Sequence, residues 1–175
     1  GFERIEHFLS GSGFHPERVG PLPCVGLQSG HIDLERHIDR IGGEPPLHPQ
    51  LFDFIEAALK RKEISRVDML TGGIRISRDE AFVKKLASYN PYIYVNLSFD
   101  GFTSDPYLYI RGRDYLETKL AALEQLRKYE INTTIQTIVA KGKNEDQVGK
   151  IILDLVGEPF IKGFIFQPLI WARGA

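Results

Sequence analysis

Cysteine is almost absent. Cys24 stands alone in a chain of 175 residues, which excludes an internal disulfide and fits a reducing compartment. A surplus of charge of either sign is missing as well: 22 Lys and Arg face 23 Asp and Glu, for a formal net charge of −1. Nothing therefore favours electrostatic capture by nucleic acid or by an anionic membrane surface. Nor does any apolar run approach the ~18 residues that a membrane-spanning helix needs. These absences predict a cytoplasmic protein with no membrane span and no nucleic-acid partner. Methionine occurs once, at Met69; residue 1 is Gly, and Ala175 follows closely on a strand-like run. Together these predict a piece of a longer protein.

What is present is the composition of a globular domain, 42% hydrophobic and 26% charged. From residue 47 onward, helical and extended patterns alternate. Pro49 suits a first helical turn, and Leu51, Phe52, Ile55 and Leu59 then form one apolar stripe. Residues 64–70 read as a short strand that ends at Thr71-Gly72-Gly73. Ser77 with Glu80 is a capping-box signature for a helix with Phe82, Val83 and Leu86 inward. Residues 91–99, rich in aromatic and β-branched side chains, read as a strand ending at Asp100-Gly101. Asp114 with Glu117 repeats the cap signature, and Leu116, Leu120, Leu123 and Leu126 share one face of the helix that follows.

Residues 133–139 are the next strand, ending at Lys141-Gly142-Lys143-Asn144. Asn144 and Gln147 are read as the cap of a fourth helix carrying Val148, Ile151, Ile152 and Leu155. Residues 164–169 form a last strand, with Gln167-Pro168 near its end. Alternation with short connections predicts an α/β fold of right-handed βαβ units around a parallel sheet. Residues 1–41 do not join it. The stretch 11–30 is rich in Gly, Pro and Ser, and Leu34, Ile38 and Ile41 recur at helical spacing where the βα rhythm calls for a strand.

Ligand chemistry in parallel α/β sheets collects outside the carboxyl ends of the strands. The special residues of this chain fall where strand gives way to helix: the turn at 42–45, then Thr71 to Gly73, Ser98 to Gly101, Lys141 to Asn144, and Gln167. Polar tips are also ordinary turn chemistry, so each alone is weak; five on one edge argue for a site.

Gly42-Gly43-Glu44-Pro45-Pro46-Leu47-His48-Pro49 resembles the second motif, Gly-Gly-Glu-Pro, of the radical S-adenosylmethionine (radical SAM) superfamily. Thr71-Gly72-Gly73 stands where many members have Thr-Asn-Gly. Leu97-Ser98-Phe99-Asp100-Gly101 resembles the fourth-strand segment, and Lys141-Gly142-Lys143-Asn144 the fifth. Phe166-Gln167-Pro168 is similar to a sixth-strand end. The resemblance covers residues 42–175 in order and spacing, and it implies a partial (β/α) TIM-type barrel over 42–175, incomplete at both ends, after an atypical segment at 1–41.

It also implies a site at the carboxyl mouth of that barrel. Gly42, Gly43, Glu44 and Pro45 would hold the methionine amino end of S-adenosylmethionine; Ser98 and Asp100 would face its ribose or carboxylate; Thr71, Asn144 and Gln167 would make ribose, adenine or substrate contacts. A four-iron–four-sulfur (4Fe-4S) cluster would reduce the bound cofactor, giving a 5′-deoxyadenosyl radical that takes a hydrogen atom from substrate. A reductant such as ferredoxin or flavodoxin would supply the electron.

One departure stands against the match. The family's cluster ligands form Cys-x3-Cys-x2-Cys, whereas this chain has Cys24, Gln28 and His31 at that spacing. Thiolates hold such clusters and glutamine does not. The first reading is therefore a fragment of a radical SAM enzyme, inactive by itself; the alternative is a catalytically silent α/β barrel domain used for binding or assembly. Other features read as structural: His48 as part of a helix cap, Arg111 and Arg113 as a solvated loop, and Tyr89, Tyr92, Tyr94 and Phe99 as sheet core and rim.

Overall fold

The alternating pattern becomes alternating elements. The computed structural model describes residues 44–62 and 64–169. After a 3-10 turn at Pro45–Leu47, helix α1 (Leu51–Leu59) leads to strand β1 (Val67–Thr71), then to helices α2 (Ile74–Arg78) and α3 (Glu80–Ala87). Strand β2 (Ile93–Ser98) is followed by α4 (Ser104–Arg111) and α5 (Leu116–Lys128). Strand β3 (Asn132–Val139), α6 (Gln147–Leu155) and β4 (Ile161–Pro168) complete the order. The strands lie β1-β2-β3-β4 in one sheet, every pair parallel, as consecutive strands joined by helices must be.

Side-chain alternation along each strand divides the sheet into two unlike faces. Met69, Ile93, Val95, Leu97 and Ile135 point to one side and pack beneath Ile55, Phe82, Val83, Leu86, Leu123, Leu126 and Ile151 of the helices. The residues between them, Leu70, Asn96, Ser98, Thr134 and Gln136, turn to the other side. All four strands point the same way, so their carboxyl ends share one rim.

Several helix ends differ from the sequence reading. The predicted capping box of Ser77 and Glu80 does not form. Asp79 caps α3 instead, accepting from the Phe82 N–H at 2.9 Å, while the Ser77 hydroxyl turns back to the Ile74 carbonyl at 2.8 Å within α2. No separate helix is expected from sequence at that short helix or at α4, whose last residue Arg111 reads as solvated loop; five to eight residues with no clean apolar stripe leave little periodic signal. The predicted leucine face of α5 is rotated. Leu120 is 42% exposed, and the buried positions are Lys119, Ala122, Leu123 and Leu126. At the start of α5, Asp114 behaves as read in part, its carboxylate accepting from the Leu116 N–H at 2.9 Å.

Asn144 is not a side-chain cap of α6. Fully buried, its amide ties three backbone groups: it donates to the carbonyls of Asp100 at 2.7 Å and Ile138 at 2.8 Å, and accepts from the Ala140 N–H at 2.8 Å. Gln147 is occupied elsewhere, accepting from the Phe102 N–H and donating to the Thr103 hydroxyl. The loops after β2 and β3 are thus stitched together by two amides. The discontinuity read in residues 1–41 lies outside the described residues.

Two outcomes follow for stability. Gly73 has φ +85°, and a Cβ there would stand 2.8 Å from Leu97 Cδ1 and 3.0 Å from Ala122 Cβ. Gly73→Ala is expected to cost about 2 kcal/mol or more, from left-handed strain plus overpacking. Asn144→Ala leaves two carbonyls and an N–H unsatisfied in the interior, for a loss of about 3 kcal/mol. Urea denaturation of each variant against the parent checks both figures.

Candidate functional site

At the rim, polar groups from four segments converge. Glu44, just before the 3-10 turn, reaches the end of β1: its carboxylate accepts from the Thr71 hydroxyl and, at 2.8 Å, from the Gly72 N–H. The Thr71 oxygen in turn accepts from the Gly73 N–H at 2.9 Å. Glu44 therefore anchors its own loop to the first strand tip. Gly72 keeps a gap open: a Cβ there would stand 3.3 Å from Glu44 Oε2 and 3.7 Å from Lys119 Nζ.

Lys119 is the residue that sequence reasoning missed. It extends from the buried face of α5, only 3% exposed, and donates to the Gly72 carbonyl at 2.5 Å and to the Ser98 hydroxyl at 2.8 Å. One ammonium thus links the ends of β1 and β2. Burial is the main force on it, pushing its pKa from 10.5 down to about 8; the Arg111 guanidinium adds to the fall, while Asp100 and Glu44 oppose it. A signal existed in the sequence: Lys119 lies three, four and seven residues before Ala122, Leu123 and Leu126, so it shares their helical stripe. Counting leucines alone points to Leu120 instead.

Asp100 is fully buried and its charge is already matched. Arg111, at the end of α4, donates to it through Nε at 2.8 Å and Nη2 at 3.3 Å, and the Ile138 N–H donates at 2.9 Å. Arg111 is consequently not the solvated loop residue of the sequence reading. It neutralises a carboxylate that could not stay buried and unpaired. Nearby, the buried Tyr107 phenol donates to the Gly101 carbonyl at 2.7 Å, and burial raises its pKa.

Gln167, near the end of β4, accepts from the Gln136 amide at 2.9 Å on the sheet face away from the helices. The structure thus brings Glu44, Thr71, Ser98, Asp100, Asn144 and Gln167 to one edge of the sheet, with Thr71, Ser98, Asp100 and Asn144 buried. Pro45 opens the 3-10 turn behind Glu44. Gly42 and Gly43 lie outside the described residues, as do Cys24, Gln28 and His31. His48 stays structural, its Nδ1 accepting from the Gln50 N–H ahead of α1. Among the described residues, no group of three His, Cys, Asp or Glu could hold a metal ion. No helix among them is long and apolar enough to cross a membrane.

This arrangement has relatives. The family model for the radical SAM superfamily matches residues 29–155. A GTP 3′,8-cyclase of Helicobacter pylori strain HPAG1 is 31% identical over 147 residues, covering 82% of this chain and 43% of that protein. A 7,8-dihydro-6-hydroxymethylpterin dimethyltransferase of Methanocaldococcus jannaschii is 28% identical over 130 residues, covering 73% of this chain and 25% of that one. This chain therefore spans less than half the length of these curated relatives. Among solved structures, native anSMEcpe with bound AdoMet and Cp18Cys peptide aligns with TM-score 0.53 at 23% identity, over 77% of this chain and 39% of that one. That likeness shows the fold: the four parallel strands correspond to part of a TIM-type barrel. With most of its length matched by the family model and its motifs gathered on one rim, the chain belongs to the radical SAM superfamily.

Proposed function

We propose that this chain supplies the S-adenosylmethionine-binding rim of a radical SAM enzyme. The observation that carries the proposal is the buried Lys119 ammonium, held between the Gly72 carbonyl and the Ser98 hydroxyl. A desolvated cation beside a hydroxyl is suited to a carboxylate, and the methionine end of S-adenosylmethionine carries one. Glu44 stands across the Gly72 gap from that cation, so the two charges of an amino acid would find opposite partners. The rim's residues fit this cofactor, which supplies hydrogen-atom abstraction when bound.

The protein's own part is positioning. Lys119 and Ser98 would hold the carboxylate, while the turn at residues 42–45, with Gly42, Gly43, Glu44 and Pro45, would receive the amino end. Thr71 orients Glu44 by its hydrogen bond. Asp100 acts through others: matched by Arg111 and the Ile138 N–H, it keeps the loop beyond Ser98 in place. Asn144 fixes the neighbouring loop, and Gln167, whose amino group is unspent beside its bond to Gln136, would meet adenine or substrate from the far strand.

The 4Fe-4S cluster does not fit the residues present. Three thiolates are required and the sequence holds Cys24 alone. This chain by itself would therefore not assemble the cluster, while the family match and the enzyme relatives support a fragment of a radical SAM enzyme over the second reading, a catalytically silent barrel that binds without turnover. A ferredoxin- or flavodoxin-type reductant and a cytoplasmic setting belong to the first reading. Anaerobic reconstitution of the full-length gene product with iron and sulfide separates the two: visible absorbance of a cluster that tracks bound iron supports the enzyme, and a colourless protein supports the silent barrel.

Binding tests the rim itself. Calorimetric titration with S-adenosylmethionine is expected to show affinity about 10- to 100-fold weaker in Lys119→Met, the worth of a hydrogen bond to a charged group. Unchanged affinity in that variant sinks the assignment. Affinity should also fall as pH rises through about 8, where the ammonium is lost. The folding term runs the other way. The unfolded lysine keeps its proton until 10.5, so the burial penalty is present below about 8 and is relieved between about 8 and 10.5.

A further inference from the structure

The sheet face turned away from the helices is built unlike a packed barrel interior. Closed (β/α) barrels fill that space with layers of Val, Ile and Leu. Here the register sets Leu70, Asn96, Thr134 and Gly163 side by side across the four strands. The row nearer the rim holds Ser98, Gln136 and Ile165, with Gln167 paired opposite Ile138 just beyond. Charge appears on this face only toward the amino ends, where Arg66 pairs with Asp68 at 2.9 Å and lies over the Tyr94 ring. Above that level, the described residues of the face are neutral.

Their hydrogen-bonding capacity is largely unspent. Gln136 and Gln167 bond to each other, which leaves the second Gln136 donor, its carbonyl oxygen and the Gln167 amino group available. Asn96 and Thr134 make no side-chain hydrogen bond among the described residues. Gly163 leaves the floor bare beside Thr134: a Cβ there would touch only Thr134 Cγ2, at 3.9 Å. Leu70 and Ile165, 48% and 40% exposed, give the patch apolar flanks.

We propose that Asn96, Gln136 and Gln167, over the flat floor at Thr134 and Gly163, bind an uncharged planar N-heterocycle whose edge carries an N–H donor beside a C=O acceptor. Three properties select this ligand. A carboxamide pairs in bidentate fashion with the donor–acceptor edge of a heterocycle. A ring lies flat where Gly163 removes the side chain, and the sheet offers roughly 14 Å from β1 to β4, three strand spacings. Away from the Lys119 ammonium at the Ser98 end, a charged group would enter without a partner, at a desolvation cost that the neutral side chains of Asn96, Thr134, Gln136 and Gln167 do not offset. The proposal rests on the S-adenosylmethionine reading only for making this ligand the substrate, since that cofactor would then be held at the adjoining rim through its carboxylate by Lys119 and Ser98.

The test is equilibrium binding to the full chain, followed by NMR, with inosine as the lactam-edged probe. Comparison ligands are 1-methylinosine, whose N–H is blocked, and a terminally blocked dipeptide, whose amides are acyclic. Saturable inosine binding, weakened at least tenfold by the methyl group and by Asn96→Leu or Gln136→Met, supports the site. Both substitutions lie on the sheet surface, and circular dichroism verifies that the fold survives. No saturable inosine binding, equal binding by either variant, or equal binding of the dipeptide overturns it. S-adenosylmethionine is titrated into the same samples: inosine selectivity without cofactor binding upholds this site while the rim assignment fails, and the reverse result overturns this site alone.

Discussion

An ammonium removed from water has to be met by oxygen, and in this protein the oxygens that meet Lys119 belong to two different strand tips. The Gly72 carbonyl closes β1 and the Ser98 hydroxyl closes β2. Because the charge is costly to bury, the contacts that satisfy it are strongly specified. That constraint sets where α5 lies against the rim and keeps a buried cation at the sheet edge, within reach of the Asp100 and Glu44 carboxylates. It also explains the lowered proton affinity of the group, since burial outweighs the pull of Asp100 and Glu44.

The other strand tips are tied by the same logic with different chemistry. Asp100 is charged and buried, so it draws Arg111 from the end of α4 and the Ile138 N–H from β3. Asn144 is neutral and buried, so it spends its amide on three backbone groups from both loops. Neither side chain is idle, and each serves as a joint between segments far apart in sequence. In a rim made this way the buried polar groups are satisfied internally. The face below it has the opposite character: the Asn96 amide is unbonded among the described residues, and Gln136 and Gln167 spend only one donor and one acceptor on each other.

Much of the architecture was legible from periodicity. The strands at β1, β2, β3 and β4 coincide with the extended runs read from sequence, within a few residues at their ends, and helices α1, α3, α5 and α6 coincide with the amphipathic ones. Parallel pairing follows from the helices between them. Short helices α2 and α4 escaped notice because one or two turns carry no repeat long enough to register. Cap assignment failed where two candidates stood close together: Ser77 had the signature, but Asp79 had the geometry. Among the candidate site residues, Thr71, Ser98, Asp100, Asn144 and Gln167 were all recognised as lying at or just beyond strand ends. Lys119 was not, because a lysine in a helix is read as solvated until its neighbours are known.

The order of apolar and polar residues by itself determined that this chain alternates strands with helices and delivers glycine-rich, polar tips to a common edge, since side-chain period and turn chemistry are local properties. Membership of a family that needs three thiolates, in a chain with one cysteine, was equally visible there. Only the tertiary structure decided which charges are buried and whom they meet. Lys119 and Ser98 are 21 residues apart along the chain, as Asp100 and Arg111 are 11 apart. Their pairing depends on how a helix is rotated on its sheet, and that rotation is set by packing of the whole core, not by the pattern of any one segment.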